Sequence, residues 1–164
     1  MKEKIIIYTD GAARGNPGPA GWGAVMIFHD GELKVKSGKL KVVEIGGSVK
    51  HATNNQMELR AAIEALKYLK SMSRLNLDIK IIADSKYVVL GITEWIPNWI
   101  RKNWRTAGRK RVLNRELWEE LYEFDKEIKP RWDYVEGHNG DKYNDRADLI
   151  ATSFADNQPV KLQK

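Results

Sequence analysis

Apolar and polar residues alternate in short blocks along the chain, and this pattern predicts strands in its first third. Residues 5–9 form a β-rich apolar run closed by Asp10-Gly11, which predicts a buried strand that ends in a turn. Residues 15–21 combine three glycines with two prolines and are expected to form a loop. Asp10 therefore stands at the expected end of the first strand.

Two further strands are expected after this loop. They cover about residues 22–28 and 32–41, and the Asp30-Gly31 pair turns the chain between them. Residues 42–50, which contain Gly46-Gly47, fit either an extension of this hairpin or a loop. Because consecutive strands joined by short links usually pair, we expect the first three strands to form an antiparallel meander.

The apolar period changes from two to 3.6 residues after position 53. Thr53 and Asn54 have side chains that cap helix N-termini, and a helix is expected over about residues 55–72. Its apolar residues recur every three or four positions: Leu59, Ala62, Ile63, Leu66 and Leu69. This stripe predicts that one side of the helix packs on the sheet.

The rest of the chain alternates strands with helices. A strand at residues 78–83 follows the first helix, and this order predicts parallel pairing with the first strand through a right-handed crossover. We expect helical segments at 85–91, 94–103, 113–128 and 143–156, and a strand at 132–135. The pattern predicts an α/β fold with a mixed five-stranded sheet, three antiparallel strands followed by two parallel ones, flanked by helices.

Length and composition narrow the class of protein. With 164 residues, the chain is expected to form one domain over residues 1–164, ending in a polar tail at about 157–164. The absence of cysteine excludes disulfides, thiolate metal sites and cysteine nucleophiles. No apolar run approaches the ~18 residues that span a bilayer, and the N-terminus lacks a signal-peptide pattern. We therefore expect a cytoplasmic protein without a membrane partner.

Positive charge is concentrated in one segment, residues 99–115. The formal net charge of the chain is +6. The segment has no acidic residue and contains the following cations: Arg101, Lys102, Arg105, Arg109, Lys110, Arg111 and Arg115. Two interpretations remain open at this point, a solvated surface and a contact with a polyanion such as nucleic acid.

Four acidic residues stand where the predicted elements bring them together. Asp10 and Asp84 each follow a buried strand, and parallel neighbouring strands would place both carboxylates at the same edge of the sheet. Glu58 and Asp148 share the inward stripes of their helices. A turn or cap role explains each residue singly, but converging carboxylates repel unless a cation lies between them. Oxygen ligands favour Mg²⁺ over zinc, so metal-assisted phosphodiester hydrolysis is implied.

Four strings of residues occur in order on these elements. They are Tyr8-Thr9-Asp10-Gly11-Ala12 with Gly15-Asn16-Pro17-Gly18-Pro19, Thr53-Asn54-Asn55-Gln56-Met57-Glu58-Leu59, Ala83-Asp84-Ser85-Lys86-Tyr87-Val88, and Val135-Glu136-Gly137-His138 with Asn144-Asp145-Arg146-Ala147-Asp148. Together they resemble the bacterial type 1 ribonucleases H over nearly the whole chain. The resemblance implies the ribonuclease H fold and an endonuclease that hydrolyses the RNA strand of RNA/DNA hybrids, leaving 5′-phosphate and 3′-hydroxyl ends.

The same resemblance implies roles for individual residues. Asp10, Glu58, Asp84 and Asp148 would hold two Mg²⁺ ions when substrate is bound, with Asp10 bridging them and Mn²⁺ as a substitute ion. His138 is similar to a mobile histidine that assists proton transfer or product departure. The residues implied to contact the hybrid are Asn16, Thr53, Asn54, Asn55, Lys86, Trp95, Arg109, Lys110 and Arg111.

The resemblance also suggests a role for the basic segment, and this chain departs from the family at a few positions. Residues 95–115 resemble a basic protrusion whose cations approach DNA phosphates, while Trp99 and Trp104 are expected mainly to pack. Lys86 and Gln56 stand where many bacterial relatives carry Gln and Arg. No separate hybrid-binding domain is expected before Lys4, and a monomer is the expected state.

Two other functions are compatible with parts of the pattern. A junction resolvase or a transposase-like strand-transfer enzyme would use the same fold and acidic cluster, although the Asn-rich segments argue against it. A basic RNA-binding module, whose carboxylates only cap helices, would need no metal. Cleavage of a hybrid compared with duplex DNA, and the dependence of turnover on Mg²⁺, separate the three functions.

Overall fold

Strands and helices follow one another in the predicted order in the structure, a computed structural model that describes residues 3–29, 40–73, 77–137 and 140–164. The strands are β1 (Glu3–Ala13), β2 (Gly18–His29), β3 (Lys41–Ala52), β4 (Leu77–Ala83) and β5 (Arg131–Tyr134). The helices are α1 (Asn54–Ser71), α2 (Lys86–Leu90), α3 (Ile96–Arg101), α4 (Arg115–Ile128) and α5 (Lys142–Ala155).

The five strands form one mixed sheet in the order β3-β2-β1-β4-β5. β2 is antiparallel to both β1 and β3, whereas β4 is parallel to β1 and β5 is parallel to β4. A parallel pair needs a crossover connection, and α1 supplies it between the meander and β4. The predicted fold class and the predicted pairing of the first and fourth strands are confirmed.

The first two strands are longer than the sequence pattern predicts. β1 continues through Asp10 to Ala13, so Asp10 lies inside the strand and not in a turn after it. β2 begins at Gly18, so the loop predicted at residues 15–21 is wrong for its last four residues. This end of β2 pairs with β1 on one side and with β3 on the other. Hydrogen bonding on both sides outweighs the weak strand propensity of Gly and Pro.

The third strand lies later in the chain than the predicted one. The strand predicted at residues 32–41 and its Asp30-Gly31 turn fall almost entirely outside the described residues. β3 begins at Lys41, and residues 42–50, which fitted either a strand or a loop, belong to it. The Gly46-Gly47 pair is part of this strand and pairs with β2.

The helices after β4 differ from the predicted ones at their ends. A π-helical turn, Gly91–Trp95, joins α2 to α3, so the two predicted segments form one continuous helical stretch. α4 begins two residues later than predicted because Asn114 has a left-handed backbone, with φ of 61°. No helix in the described ranges is both long and apolar enough to cross a membrane.

Side chains of β1 alternate between two hydrophobic layers on opposite faces of the sheet. Ile5 and Ile7 pack with α1 and α4, and the predicted stripe of α1 is buried in this layer. Tyr8 points to the other face, where Ile150 of α5 packs. The tail predicted after α5 contributes to this second layer through Val160 and Leu162, so it is not simply polar.

The basic segment runs from the end of α3 to the start of α4, mostly through turns. Arg105 and Arg111 form an isolated antiparallel bridge, and Arg109 between them has a positive φ of 60°. Trp99 and Trp104 pack on each other and against the α1 layer, so their predicted packing role is confirmed. The segment therefore has an aromatic base and a charged, exposed tip.

Candidate active site

Asp10 and Asp84 leave two adjacent parallel strands at the same level. The pairing of β1 with β4 ends where Thr9 lies opposite Ala83, and the next residue on each chain is an aspartate. Asp10 is only 4% exposed, because β1 continues beyond it, whereas Asp84 is half-buried after the end of β4. The predicted meeting of these two carboxylates at one edge of the sheet is confirmed.

Gly11 allows the third carboxylate, that of Glu58, to reach the same place. A Cβ at position 11 would lie 2.4 Å from the backbone nitrogen of Glu58, which is too close for any side chain. The first turn of α1 therefore rests directly on the backbone of β1, an approach that glycine permits. Carboxylate oxygens of Asp10, Glu58 and Asp84 lie within 4.8 Å of one another, and we call these three residues the carboxylate cluster.

Burial and repulsion raise the pKa of the two most buried carboxyls of the cluster. For Asp10, burial has the largest effect on the pKa, a hydrogen bond with Glu58 offsets part of it, and the charges of Asp84 and Asp148 raise it further. For Glu58, burial acts first and the charge of Asp10 second, and its pKa lies well above the ordinary value. A positive charge among these groups would favour their ionised forms.

The donors of the carboxylate cluster fit a hard divalent cation. Oε2 of Glu58 is buried and has no hydrogen-bond partner within the part of the chain that the structure describes. A buried carboxylate oxygen without a partner is destabilising, and a coordinated cation would satisfy it. The ligands present are carboxylate oxygens, which suit Mg²⁺ or Mn²⁺ better than zinc.

Asp148 approaches the cluster from α5. Its charge and a hydrogen bond both act on Asp10, so its carboxylate lies on the β1 side of the helix. It stands beside the group of three and not within their 4.8 Å spacing. Asp145, almost one turn earlier, is exposed. The structure therefore brings the fourth predicted carboxylate next to the other three.

His138 lies outside the described residues. Gly137, which precedes it, packs against the cluster: a Cβ there would lie 3.2 Å from Oδ2 of Asp84. The chain therefore passes the rim of the cluster just before position 138. The assisting role of His138 stays a prediction.

Asn16 and Asn54 tie the β1–β2 connection to the start of α1. The Asn54 amide donates to Oδ1 of Asn16 at 2.9 Å, and the Ala13 amide donates to Oδ1 of Asn54 at 2.7 Å. Thr53 and Gln56 form a capping box, with bonds of 3.1 and 2.9 Å. Cap and turn roles are thus present at these residues, and their contact with a hybrid stays a prediction.

The other residues predicted to contact substrate differ in exposure. Those with exposed side chains are Asn55, Lys86, Arg109, Lys110 and Arg111. The Lys86 ammonium stands over the ring of Tyr134, 5.3 Å from its centroid. Trp95 is half-buried and packs against Tyr87 and Trp99, so contacts within the protein occupy part of its surface.

A hydrogen-bonded network near the cluster has no counterpart among the sequence predictions. Nε2 of Gln56 donates to Oδ1 of Asn114 at 3.2 Å, and Nδ2 of Asn114 donates to the Tyr87 hydroxyl at 3.2 Å. Nε1 of Trp118 also donates to this hydroxyl, at 3.0 Å. The network joins α1, α2 and the end of the basic segment. Its signal in the sequence is the capping-box spacing of Thr53 and Gln56, which says nothing about Asn114.

Comparison with known proteins connects this geometry to a family. The sequence model of the RNase H family matches residues 2–156. The chain belongs to the ribonuclease H family. Ribonuclease H of Thermosynechococcus vestitus is 47% identical over 157 residues, which cover 96% of this chain and 92% of that protein. Ribonuclease HI of Pseudomonas aeruginosa is 44% identical over 150 residues, or 92% of each chain.

Solved structures of ribonucleases H have the same fold. LC9-RNase H1, described as a type 1 RNase H with the type 2 active-site motif, has a TM-score of 0.85 at 26% identity, covering 99% of this chain and 75% of its own. LC11-RNase H1, solved in complex with RNA/DNA hybrid, has a TM-score of 0.67 at 25% identity, covering 93% and 97%. The predicted family and enzyme class are confirmed: this ribonuclease H belongs to a family of divalent-metal-dependent endonucleases that act on RNA/DNA hybrids.

Proposed function

We propose that this ribonuclease H hydrolyses the RNA strand of RNA/DNA hybrids with two Mg²⁺ ions, leaving 5′-phosphate and 3′-hydroxyl ends. Two observations carry the proposal: carboxylate oxygens of Asp10, Glu58 and Asp84 lie within 4.8 Å of one another, and the buried Oε2 of Glu58 has no hydrogen-bond partner among the described residues. Asp10, Glu58, Asp84 and Asp148 would hold these ions. When bound, such ions activate a water and stabilise the leaving oxygen of a phosphodiester.

The same residues explain why the site needs a cation before it accepts a phosphodiester. A metal-free cluster of carboxylates repels the negatively charged backbone of a nucleic acid. Glu58 and Asp10 hold their oxygens at fixed positions, since a strand and a helix with backbone contact at Gly11 carry them. The protein therefore contributes a rigid set of oxygens, which orients the scissile phosphate with little reorganisation.

Substrate choice in this proposal depends on the groups beside the cluster. Asn16, Asn54 and Asn55 would contact sugars and base edges in the minor groove of the hybrid, where the 2′-hydroxyls distinguish RNA from DNA. Thr53 would contribute to a pocket for a phosphate of the DNA strand. The hydrogen bond between Asn16 and Asn54 supports this arrangement, because it holds the two segments in a fixed relation.

Residues on either side of the cluster would assist binding and turnover. His138 would assist proton transfer or product departure, and the position of Gly137 against Asp84 supports a place for it at the rim. Arg109, Lys110 and Arg111 would approach phosphates of the DNA strand. Lys86 and Trp95 would add further contacts with the hybrid. We propose that the chain acts as a single-domain cytoplasmic monomer.

The test is cleavage of end-labelled duplexes with and without Mg²⁺. A hybrid should be cut in its RNA strand, duplex DNA at least about 100-fold more slowly, and neither in the presence of a chelator; Mn²⁺ should substitute for Mg²⁺. The products should carry 5′-phosphates that ligase accepts. Preferential cutting of duplex DNA would favour a resolvase or strand-transfer enzyme, and binding without Mg²⁺-dependent turnover would favour an RNA-binding module.

A pair of aspartate variants provides the control for the site assignment. Asp10→Asn should abolish cleavage while the protein remains folded, because it removes one of the carboxylates that would hold the metal ions. Asp145→Asn changes an exposed aspartate that is three residues from Asp148, and it should leave the rate unchanged. Mg²⁺-dependent cleavage by Asp10→Asn at a rate near that of the unchanged chain would refute the assignment of the site.

A further inference from the structure

Residues 157–164, which we call the C-terminal strap, are held against α5 and β3. The amide of Gln158 donates to the carbonyl of Ser153 at 2.9 Å, and the amide of Val160 donates to Oγ of Ser153 at 3.2 Å. Gln163 forms two bonds with Glu44: its amide donates to Oε1 at 2.8 Å, and its carbonyl accepts from the Glu44 amide at 2.7 Å. Since β3 is an edge strand, the strap covers part of that edge.

Arg146 of α5 connects the strap with β3. Its Nε and Nη2 donate to both carboxylate oxygens of Glu44, at 2.6 and 2.9 Å, and Nη2 also donates to the carbonyl of Lys161 at 2.9 Å. Glu44 is 5% exposed. Burial alone would raise the pKa of Glu44, but its bonds with Arg146 and Gln163 outweigh this and lower it. Glu44 and Arg146 therefore form a bidentate ion pair at neutral pH.

Glycines in the sheet set the height of α5 above β2. A Cβ at Gly21 would lie 2.3 Å from the carbonyl oxygen of Ala151, and a Cβ at Gly23 would lie 2.6 Å from Cγ2 of Ile150. The helix therefore rests almost directly on the strand. Glycines offer no side chains that interlock with the helix, so they do not by themselves prevent it from rotating about its axis.

Arg146 and Asp148 restrain α5 from opposite sides. Two positions along an α-helix correspond to a rotation of about 200°. Arg146 reaches β3, whereas Asp148 acts on Asp10 of β1, and these two strands flank β2 beneath the helix. A rotation that carried Asp148 away from Asp10 would therefore displace the guanidinium of Arg146 from Glu44.

We propose that Glu44, Arg146 and the C-terminal strap are positioning elements that hold Asp148 against the carboxylate cluster. The inference rests on the proposed role of Asp148 as a metal ligand. Without metal, the charges of Asp10 and Asp148 repel each other, and the strap keeps Asp148 from moving away. A fourth carboxylate already in place lowers the reorganisation needed for metal binding, as partners of metal ligands do elsewhere.

The first test is a double-mutant cycle on thermal stability in the presence of a chelator. It compares the full chain, Asp148→Asn, a chain ending at Gln158, and their combination. Asp148→Asn removes repulsion and should raise the Tm of the full chain by about 2 to 4 °C. Without the strap the rise should be less than half as large, because Asp148 is then able to move away. Equal rises in both backgrounds would overturn the proposal.

Arg146→Lys provides a second background in case the shortened chain does not fold. The lysine keeps the charge but loses the fork that holds both oxygens of Glu44. The stabilisation by Asp148→Asn should again be smaller in this background than in the full chain. An undiminished stabilisation would count against the proposal in the same way, since Arg146 joins α5 to both Glu44 and the strap.

The second test measures the use of metal. The Mg²⁺ concentration that gives half-maximal cleavage should rise about tenfold in the shortened chain and in Arg146→Lys, with KM for the hybrid unchanged. Leu121→Val, a buried change in the layer on the opposite face of the sheet, should lower Tm but leave the Mg²⁺ midpoint as it is. An unchanged midpoint in the strap variants would overturn the proposal.

Failure of the full chain to cleave hybrid would refute the proposed function and not the role of the strap. The double-mutant cycle on thermal stability would still test whether the strap holds Asp148 in place.

Discussion

The carboxylate cluster and the basic segment carry opposite charges and are built in opposite ways. The cluster sits on a strand, a strand end and the second turn of a helix, with backbone contact at Gly11. The basic segment consists mostly of turns between two helices, and its cations at positions 109–111 are exposed. Asp10, in contrast, is 4% exposed. One region therefore fixes charged groups where water is largely excluded, and the other leaves them hydrated.

This difference in burial determines what each region contributes. Repulsion between buried carboxylates is weakly screened, so the cluster stores electrostatic free energy that a bound cation releases. Water and salt screen exposed cations, so each contributes little binding free energy by itself. A polyanion that contacts several of them at once gains the sum of these contributions. We therefore expect changes in the cluster to alter kcat, and changes in the basic segment to alter KM and its dependence on salt.

The largest expected effect is the loss of a cluster carboxylate. Glu58→Gln should lower kcat more than about 10³-fold, since metal ions contribute several kcal/mol to the stabilisation of the transition state. Glu64→Gln, on the same helix but paired with Arg60 at its surface, should leave kcat within about twofold. Steady-state cleavage of a hybrid in Mg²⁺ gives both values. A Glu58→Gln enzyme with kcat within tenfold of the unchanged chain would contradict the assignment.

The next largest effect is expected at the rim of the cluster. His138→Ala should lower kcat by about 10², the lower end of general acid–base assistance, while KM for the hybrid changes little. The matched control is His51→Ala, which replaces an exposed histidine on β3 and should leave kcat unchanged. Single-turnover and steady-state rates together would show whether chemistry or product departure is slowed. A normal kcat in both regimes would exclude the assisting role.

A smaller effect on affinity is expected in the basic segment. Replacing Arg109, Lys110 and Arg111 with Ala should raise KM and reduce the slope of log affinity against log salt by up to about 2.7, at 0.9 for each phosphate contact. The value of kcat at saturation should change little, because the cluster is untouched. The KM of the variant should be measured at several salt concentrations.

A second triple variant controls for the loss of net charge. Replacing Lys67, Lys70 and Lys126 removes the same number of cations from α1 and α4, where Lys70 and Lys126 already pair with glutamates. It should leave both KM and the salt slope nearly unchanged. Equal effects of the two triple variants would show that net charge, and not the position of the basic segment, determines affinity.

The smallest effect concerns stability and pH in the presence of a chelator. Because the pKa of Asp10 is raised in the folded protein, the folded state binds more protons than the unfolded state between the unfolded and folded pKa values. The contribution of Asp10 to stability should therefore fall as pH rises from about 4 through neutrality. Asp10→Asn should show a smaller fall, so its advantage in Tm should be small at pH 4 and increase with pH. A difference in Tm that is independent of pH would contradict the raised pKa.

Hydrophobic periodicity along the sequence determined the kinds of element and their order. The stripe of α1 and the β-rich runs of β1 and β4 are local patterns, and each specifies its element without help from distant residues. Two strands that are joined by a helix usually pair in parallel, and this rule predicted that Asp10 and Asp84 lie close together. The motifs around Glu58 and Asp148 identified the remaining carboxylates and the family, because those residues are local in sequence as well.

Tertiary structure alone decided the features that join distant segments. The full length of β1 and β2 depends on pairing with neighbours, and Asn114 meets Gln56 across 58 positions of sequence. Glu44 is 102 residues from Arg146 and 119 from Gln163, and a tail that looks polar along the chain becomes a strap through these bonds. No local pattern encodes such contacts, since their free energy depends on the burial and geometry that the whole fold provides.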